Sequence, residues 1–265
     1  MPNEINHTFV IIAYLDSLFL EDCVISLQNQ TVKSNIIIST STPSAFLDKV
    51  SKKYQLPLII NEDSQGVASD WSFAYSLCTT KYLTLAHQDD IYLSKYTEFC
   101  LTAAGKSSEG LLAFTDYSEF LSDKLIRNQS VNLFIKKFLL LPFLIKSEIS
   151  FNFLKRLILS FGDPIPCPTV MYNKENIGYF EFSRDFVCNM DWDAWLRLAR
   201  KRGSFIYINK KLMLHRIHQD SQTSLQIKNK VRQEEERRIF GRLWPRPLAR
   251  ILANIYSLSL SSNKV

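Results

Sequence analysis

A chain of 265 residues with 46% hydrophobic and 22% charged residues can bury a sizeable core, which excludes a disordered or fibrous protein. The five cysteines stand singly without a Cys-x-x-Cys pair, which argues against a disulfide framework or a zinc knuckle. The net charge of +6 is concentrated in residues 196–250, and this basic segment can attract nucleic acid, an anionic membrane or an acidic substrate.

The N-terminus lacks the basic start of a signal peptide, and no apolar run reaches the length of a membrane span. We therefore expect a cytoplasmic protein.

The first ninety residues alternate between strand and helix patterns. Strand patterns occupy residues 9–14, 35–39, 56–60 and 81–86, and helical patterns occupy residues 20–30, 45–54 and 67–78. This alternation is typical of a parallel sheet with right-handed crossovers. The carboxyl ends of parallel strands share one edge of the sheet, and that edge is where such sheets bind ligands.

The fourth strand pattern ends abruptly in His87, Gln88, Asp89 and Asp90. Adjacent carboxylates repel each other and lose hydration when buried, so they favour solvent, a helix N-terminus or a cation. At a strand end they suit a hard divalent ion that also holds a substrate diphosphate. The alternative is that the two aspartates only cap the following turn or helix.

The second half of the chain is less regular. Residues 111–117 have a strand pattern, and the proline-rich residues 163–171 predict a shaped loop that enters a strand. Between them, residues 131–161 are strongly apolar and basic, and Pro142 must end or kink a helix there. Two interpretations stay open for this stretch: a packed helical layer, which we favour, or a membrane-facing element.

A second acidic site begins at Asp191, at or just before the start of a helix, where it would act as an N-cap. After a strand pattern at residues 204–208, an apolar run ends in His215, Arg216, Ile217 and His218. His218 beside Arg216, followed by Ser221 and Thr223, suggests a group that binds an oxyanion.

The C-terminal part starts with a run of charges at residues 232–238, which predicts a solvated helix. Residues 248–256 then form an apolar helical pattern with basic flanks. Such a helix suits either a membrane surface or packing against the domain.

Together these stretches resemble family 2 glycosyltransferases of the GT-A fold, over about residues 7–225. The motifs that carry the resemblance are residues 9–14, 26–31, Gly66 before a helix, 87–90, 191–198, and 215–218 with Ser221. The resemblance implies an α/β fold with a mostly parallel central sheet flanked by helices. It also implies a catalytic domain at residues 1–225 and a basic, apolar helical extension at residues 226–265.

The resemblance also implies site residues. His87 stands where the family has the first Asp of an Asp-x-Asp motif, and Asp89 is the implied ligand of Mg²⁺ or Mn²⁺. Asp191 matches the catalytic base, with Met190 in place of the usual Glu. The implied further metal ligands are Asp90 and His218, and the implied donor-binding residues are Ala13, Tyr14, Ser39, Asp63, Gly66, His87, Asp89 and Arg216.

The implied function is inverting transfer of a sugar from a nucleotide sugar, with UDP favoured over dTDP, to a polyprenyl-diphosphate-linked saccharide. Such an enzyme would build a bacterial surface polysaccharide such as a capsule, at the inner face of the membrane, as a peripheral protein. The oligomeric state is open, with a homodimer among the expected partners. Nucleic acid is not expected, because the basic residues are not interleaved with exposed aromatic residues.

Two other functions stay open at this stage. A sugar nucleotidyltransferase would need a glycine-rich, cationic loop after the first strand, and residues 15–18 contain neither a glycine nor a cation. An inactive sugar-nucleotide-binding or scaffold subunit is suggested by His87 and Met190, which replace acidic residues of the family.

Overall fold

The computed structural model describes residues 5–122, 125–218 and 231–261. The strands in this part of the chain are β1 (His7–Ala13), β2 (Asn35–Thr40), β3 (Leu58–Ile60), β4 (Tyr82–His87), β5 (Ile91–Tyr92), β6 (Gly110–Ser122), β7 (Leu125–Arg127), β8 (Glu148–Ile149), β9 (Val170–Asn173) and β10 (Ser204–Arg216). The helices are α1 (Leu20–Gln28), α2 (Ala45–Tyr54), α3 (Val67–Leu77), α4 (Tyr96–Ala104), α5 (Val131–Leu139), α6 (Leu141–Ile145), α7 (Asn152–Leu159), α8 (Lys174–Ile177), α9 (Met190–Leu198), α10 (Val231–Leu243) and α11 (Arg246–Ser261).

The strands form one mixed sheet in the order β3-β2-β1-β4-β9-β6-β10-β5, with β7 beside β6 and β8 beside β10. The N-terminal half is parallel, as the strand and helix alternation predicts, because β1 pairs in parallel with both β2 and β4. Its last pair, Ile12 with His87, puts the ends of β1 and β4 side by side. The sheet therefore brings the acidic turn after β4 to the shared carboxyl edge.

The second half joins the sheet through β9, which runs antiparallel between β4 and β6. The proline-rich loop enters β9 through a short 3-10 turn at Cys167–Thr169, as predicted. Beyond it, β6 and β10 pair in parallel with register shifts near Ile208 and Lys211. These shifts carry the end of β10 to the turn after β4.

Both faces of the sheet are covered. One face packs against helices that include α3 and α9, with Trp192 and Trp195 fully buried. Each indole finds a hydrogen-bond acceptor, since Trp192 Nε1 donates to the Leu159 carbonyl and Trp195 Nε1 to the Ile165 carbonyl. These two anchors fix α9, and with it Asp191, against the loop before β9.

The helix predicted at residues 232–238 is present, but it is solvated on only part of its surface. Glu235 and Glu236 on α10 are buried, although this helix carries the densest run of charges. Glu236 is paired with Arg232 at 3.1 Å, and Glu235 accepts hydrogen bonds from backbone groups ahead of α9. These partners offset the burial of both carboxylates, although the Oε2 atom of Glu236 has no hydrogen-bond partner among the described residues. The predicted boundary at 225/226 lies outside the described residues.

Residues 131–161 form three short helices, α5 to α7, with the break at Leu140 just before Pro142. A packed layer accounts for inward side chains such as Phe143 but not for the many exposed apolar ones. Ile145 is 92% exposed, Phe153 77% and Phe134 73%. None of the helices in the described ranges combines the length and apolar content needed to cross a membrane.

Candidate active site

Three side chains converge at the turn after β4. One potential ligand atom each from His87, Asp89 and Asp90 lies within 4.8 Å of the others. The strand delivers His87 as its last residue, and the turn that follows keeps both aspartates at the carboxyl edge. The residue types and spacing suit a divalent cation.

The hydrogen bonds of the Asp90 carboxylate test whether this cluster fits a divalent cation. It is fully buried, and its Oδ1 accepts from the backbone N–H of Arg216 at 3.0 Å and lies 2.9 Å from His215 Nδ1. Its Oδ2 has no hydrogen-bond partner among the described residues and lies 3.9 Å from His87 Nδ1. A buried carboxylate oxygen without a partner is costly, so this cluster fits a bound cation.

The Asp90 carboxylate also influences the pKa of His215. Burial lowers the pKa of its imidazole, but the charge and hydrogen bond of Asp90 raise the pKa more, so the net shift is upward. The protonated form of His215 therefore helps to offset the buried charge of Asp90.

Asp89 is held by the end of β10. Its Oδ2 lies 2.9 Å from His218 Nε2, and its backbone carbonyl accepts from Arg216 Nε at 3.1 Å. Burial raises the pKa of Asp89, but the hydrogen bond from His218 and the charges of His87 and His215 outweigh it and lower the pKa. Asp89 is thus kept as a carboxylate, the form that binds a cation.

Arg216 links segments that are far apart in the sequence. Its Nη2 donates to Asp22 on α1 at 3.0 Å, and its guanidinium packs 4.1 Å from the Phe19 ring centroid and 4.6 Å from that of Phe120. The side chain is 5% exposed. The residue predicted to face a diphosphate therefore also links β10 to α1 and to the turn after β4. Ser221 and Thr223, predicted to act beside it, lie outside the described residues.

Asp191 is the second residue of α9 and not its N-cap as predicted. Asn189 occupies the N-cap position. Its Oδ1 accepts from the backbone N–H of Trp192 at 2.8 Å. Burial raises the pKa of Asp191, and the positive charges of Arg232, Lys136 and His87 only partly oppose this rise. A raised pKa suits a group that must take up a proton near neutral pH.

Asp191 interacts electrostatically with the cluster after β4. His87 is within electrostatic reach of Asp191 and belongs to the cluster itself. Burial, and then the charges of Asp191 and Asp90, raise the pKa of the Cys167 thiol, so both groups act on it electrostatically. The fold therefore brings together the two acidic motifs that are about one hundred residues apart in the sequence.

Sequence reasoning missed Asp163, which lies in the proline-rich loop. It is buried, and first burial and then the charge of Asp191 raise its pKa well above the usual range of aspartate. The charge of Asp191 therefore disfavours the ionised form of Asp163. Met190, at the position where a neighbouring acid was looked for, is buried among apolar residues.

The remaining predicted donor-binding residues lie at the ends of β1 to β3. Ala13 ends β1. The side chain of Gln88 makes two hydrogen bonds with the backbone of Tyr14: Oε1 accepts from the Tyr14 N–H at 3.1 Å, and Nε2 donates to the Tyr14 carbonyl at 2.9 Å. The other three are Ser39, buried in β2, Asp63, exposed after β3, and Gly66, the N-cap of α3 with φ +99°. Only glycine adopts that φ without strain.

Sequence reasoning also missed Asp70. From α3 it accepts hydrogen bonds from Ser41 Oγ and from Asn61 Nδ2, both at 2.8 Å. It therefore joins the loops that follow β2 and β3. The pattern around Asp70 is that of an ordinary helix, so the sequence carried no sign of this role.

No protein-family model and no curated protein matches this sequence. Solved structures do share its fold. S. aureus TarS 1–349 in complex with UDP-GlcNAc superposes with a TM-score of 0.64 at 14% identity, over 97% of this chain and 73% of that one. This chain spans 44% of the length of a longer TarS structure.

Two further structures extend the comparison. The mannosyltransferase PcManGT from Pyrobaculum calidifontis, in complex with GDP-Man and Mn²⁺, gives a TM-score of 0.60 at 12% identity over 99% of this chain and 74% of that one. Glucosyl-3-phosphoglycerate synthase from Mycobacterium tuberculosis, in complex with Mn²⁺, UDP and phosphoglyceric acid, gives a TM-score of 0.59 at 12% identity. That match covers 89% of this chain and 78% of the synthase. The α/β fold of the GT-A type predicted from the sequence is confirmed.

Proposed function

We propose that this chain is a metal-dependent, inverting glycosyltransferase of family 2 that moves a sugar from a nucleoside-diphosphate sugar to a saccharide hydroxyl. The observation that carries the proposal is that two acidic groups lie within electrostatic reach of each other. One is the cluster of His87, Asp89 and Asp90, and the other is Asp191 with its raised pKa. The solved neighbours, bound to UDP-GlcNAc, UDP or GDP-Man, support a nucleotide-sugar donor.

Each group would have a separate task. His87, Asp89 and Asp90, with His218 beside them, would hold Mg²⁺ or Mn²⁺, which when bound offsets charge on the departing nucleoside diphosphate. Asp191 would accept the proton of the acceptor hydroxyl while the hydroxyl oxygen attacks the anomeric carbon. The bond from that carbon to the diphosphate oxygen breaks on the opposite side, so the configuration inverts.

The acceptor and the location are part of the proposal. We place the enzyme in the cytoplasm at the inner membrane face, with a polyprenyl-diphosphate-linked saccharide as acceptor in surface-polysaccharide synthesis. Exposed apolar side chains on α5 to α7 support attachment, together with Leu248, Ile251 and Ile255 on α11. Arg246 and Arg250 lie exposed on the same helix. Apolar area and positive charge together bind anionic membranes.

A panel of UDP-, dTDP- and GDP-sugars, each with Mn²⁺, Mg²⁺ or EDTA, tests the proposal. We expect one donor class to raise the melting temperature of the protein and to be hydrolysed slowly, both only with the cation. Asp191→Asn should reduce turnover by about 10²- to 10⁴-fold, the usual contribution of a general base, while UDP still binds. Asp48→Asn, an exposed residue on α2, is the matched control and should behave as the native protein does.

The pH profile gives a second readout of the same variant. Because the base must be ionised, turnover should fall on the acidic side, with an apparent pKa above the ordinary aspartate value of about 3.9. That limb should disappear in the residual activity of Asp191→Asn. Full activity of the variant would remove Asp191 from the mechanism.

A second candidate function is a sugar-nucleotide-binding subunit without turnover. It is favoured by His87 at the cation cluster and by the buried Met190 beside Asp191. In the same panel this protein would show a cation-dependent thermal shift with a donor but no hydrolysis and no transfer.

A further inference from the structure

Gln88 connects the candidate cation ligands to the loop that follows β1. In the sequence it stands between His87 and Asp89, in the turn after β4. Its amide makes two hydrogen bonds with the backbone of Tyr14, since Oε1 accepts from the N–H at 3.1 Å and Nε2 donates to the carbonyl at 2.9 Å. One side chain of the cation turn therefore holds both backbone polar groups of the residue that follows β1.

The loop after β1 has a backbone conformation that needs support from other segments. Leu15 has φ +55°, in the left-handed region that residues other than glycine rarely adopt. Its N–H donates to Thr42 Oγ1 at 2.7 Å, in the loop after β2. The loop after β2 thus holds Leu15, whereas Gln88 holds Tyr14 from the turn after β4.

The same loop presents apolar surface at the carboxyl edge of the sheet. The side chains of Tyr14 and Leu15 are 46% and 57% exposed. Of the two strands beside β4, β1 is parallel to it and β9 is antiparallel. A ligand held at the turn after β4 would therefore extend over β1, across the shared ends of the parallel strands. An aromatic ring and an aliphatic chain suit the flat face of a nucleobase.

We propose that Gln88 is a positioning residue that couples cation binding to nucleoside binding. With a cation on His87, Asp89 and Asp90, the turn after β4 is restricted to one arrangement, and the Gln88 amide then fixes the backbone of Tyr14. The loop after β1 thus has its binding conformation before the donor arrives, so less conformational freedom is lost on binding.

This inference rests on the proposed function, because it needs a nucleoside-diphosphate donor at this edge. The coupling through Gln88 adds to any direct contact between the cation and the diphosphate. A residue that only supports the fold would change nucleotide affinity equally with and without the cation. A residue that couples the two sites changes the ratio of the two affinities, which is therefore the quantity to measure.

Calorimetry of UDP, dTDP and GDP binding to the full chain, with saturating Mn²⁺ or with EDTA, tests the coupling without turnover. For the diphosphate that binds most tightly, the dissociation constant in EDTA divided by that in Mn²⁺ gives the coupling factor. We expect Gln88→Ala to reduce this factor about fivefold or more, since coupling between two sites is commonly about 5- to 150-fold. Gln88→Met, which keeps the length of the side chain without its hydrogen bonds, should reduce it equally.

Two further variants make the measurement specific. Thr42→Val removes the acceptor of the Leu15 N–H outside the cation turn, so it should weaken binding equally with Mn²⁺ and with EDTA. Gln129→Ala changes an exposed glutamine of another loop and should keep the native affinities and coupling factor. Circular dichroism of each variant verifies its fold.

The outcomes separate this inference from the proposed function. A native coupling factor in Gln88→Ala and Gln88→Met would overturn the role of Gln88, while cation-dependent nucleotide binding would still support a transferase. If none of the three diphosphates binds the native protein under either condition, the proposed function fails, and the coupling fails with it.

Discussion

His87 is the residue that most distinguishes the candidate cation site of this chain. It puts an imidazole next to Asp89 and Asp90, and its Nδ1 lies 3.9 Å from the unpartnered oxygen of Asp90. Imidazole is a good ligand for first-row transition ions, whereas Mg²⁺ prefers oxygen ligands and gives up water reluctantly. From these ligand preferences we expect the candidate site to bind Mn²⁺ more tightly than Mg²⁺.

Replacing His87 with Asp should shift this preference. We expect Mg²⁺ to displace Mn²⁺ poorly from the native protein and about tenfold better from His87→Asp, because the variant supplies only oxygen ligands from this turn. The electron paramagnetic resonance signal of free Mn²⁺ measures this competition without any turnover. Asp48→Asn serves as the control, and equal competition in the native protein and in His87→Asp would show that His87 is not a ligand.

Residues of the candidate site differ in how far the sequence could predict them. His87, Asp89 and Asp90 stand together after an apolar strand, so their grouping is visible in one short motif. Asp163 and Lys136 belong to segments that look like an ordinary loop and an ordinary helix. Only the fold brings their charges to Asp191.

At the scale of elements, the N-terminus of α9 depends on α10. The Glu235 carboxylate accepts from the backbone N–H groups of Val187 at 2.6 Å and of Cys188 and Asn189 at 2.9 Å. These groups lie directly ahead of the helix that carries Asp191. Glu235 therefore satisfies several buried donors at once and fixes the start of α9.

Removing this carboxylate should weaken both stability and turnover. Glu235→Ala leaves buried N–H groups without an acceptor. We therefore expect the free energy of unfolding to fall by about 3 kcal/mol and the melting temperature to fall by about 6–12 °C. Turnover should fall while UDP affinity is kept, because Asp191 shifts and the cation cluster does not. Glu234→Ala, an exposed neighbour on the same helix, is the control. An unchanged melting temperature of Glu235→Ala would contradict the assigned role.

Local pattern predicted some elements well and others poorly. The strands and helices from β1 to β4 follow from apolar spacing, because each element is bounded by its own turn residues. The antiparallel placement of β9 depends on pairing with residues about ninety positions away, so no local pattern encodes it. The buried acids of α10 were missed for a related reason, since their partners include the loop ahead of α9.

At the scale of the whole molecule, several large apolar side chains are exposed within one stretch of the chain. Within residues 131–161 these include Phe138, Phe151 and Phe153, which are 62%, 70% and 77% exposed. Glu148 is the only acidic residue in this stretch, against five lysines and arginines. An apolar surface with excess positive charge is complementary to an anionic bilayer.

Vesicle sedimentation tests this surface. The native protein should bind vesicles that contain phosphatidylglycerol and bind pure phosphatidylcholine much less. The double variant Phe138→Ser with Phe153→Ser should lose about 100-fold or more in partitioning, because each buried Phe contributes about 1.5–3 kcal/mol. The control replaces Leu18 and Tyr179 with Ser, since these residues are 90% and 82% exposed outside this stretch.

Equal partitioning of the two double variants would contradict a membrane surface. Light scattering of the same proteins would then show whether the face instead joins two copies of the chain as a homodimer. A native dimer that becomes monomeric only in the Phe138 and Phe153 variant would assign the face to self-association.

The hydrogen bond from Arg216 to Asp22 spans 194 positions in the chain, and those from Arg216 and His215 to Asp90 span 126 and 125. During translation the turn after β4 therefore leaves the ribosome long before the strand that will bind it. Until that strand arrives, the buried carboxylate of Asp90 lacks both of these partners. Completion of the hydrogen bonds around Asp90 therefore depends on synthesis of the last part of the sheet.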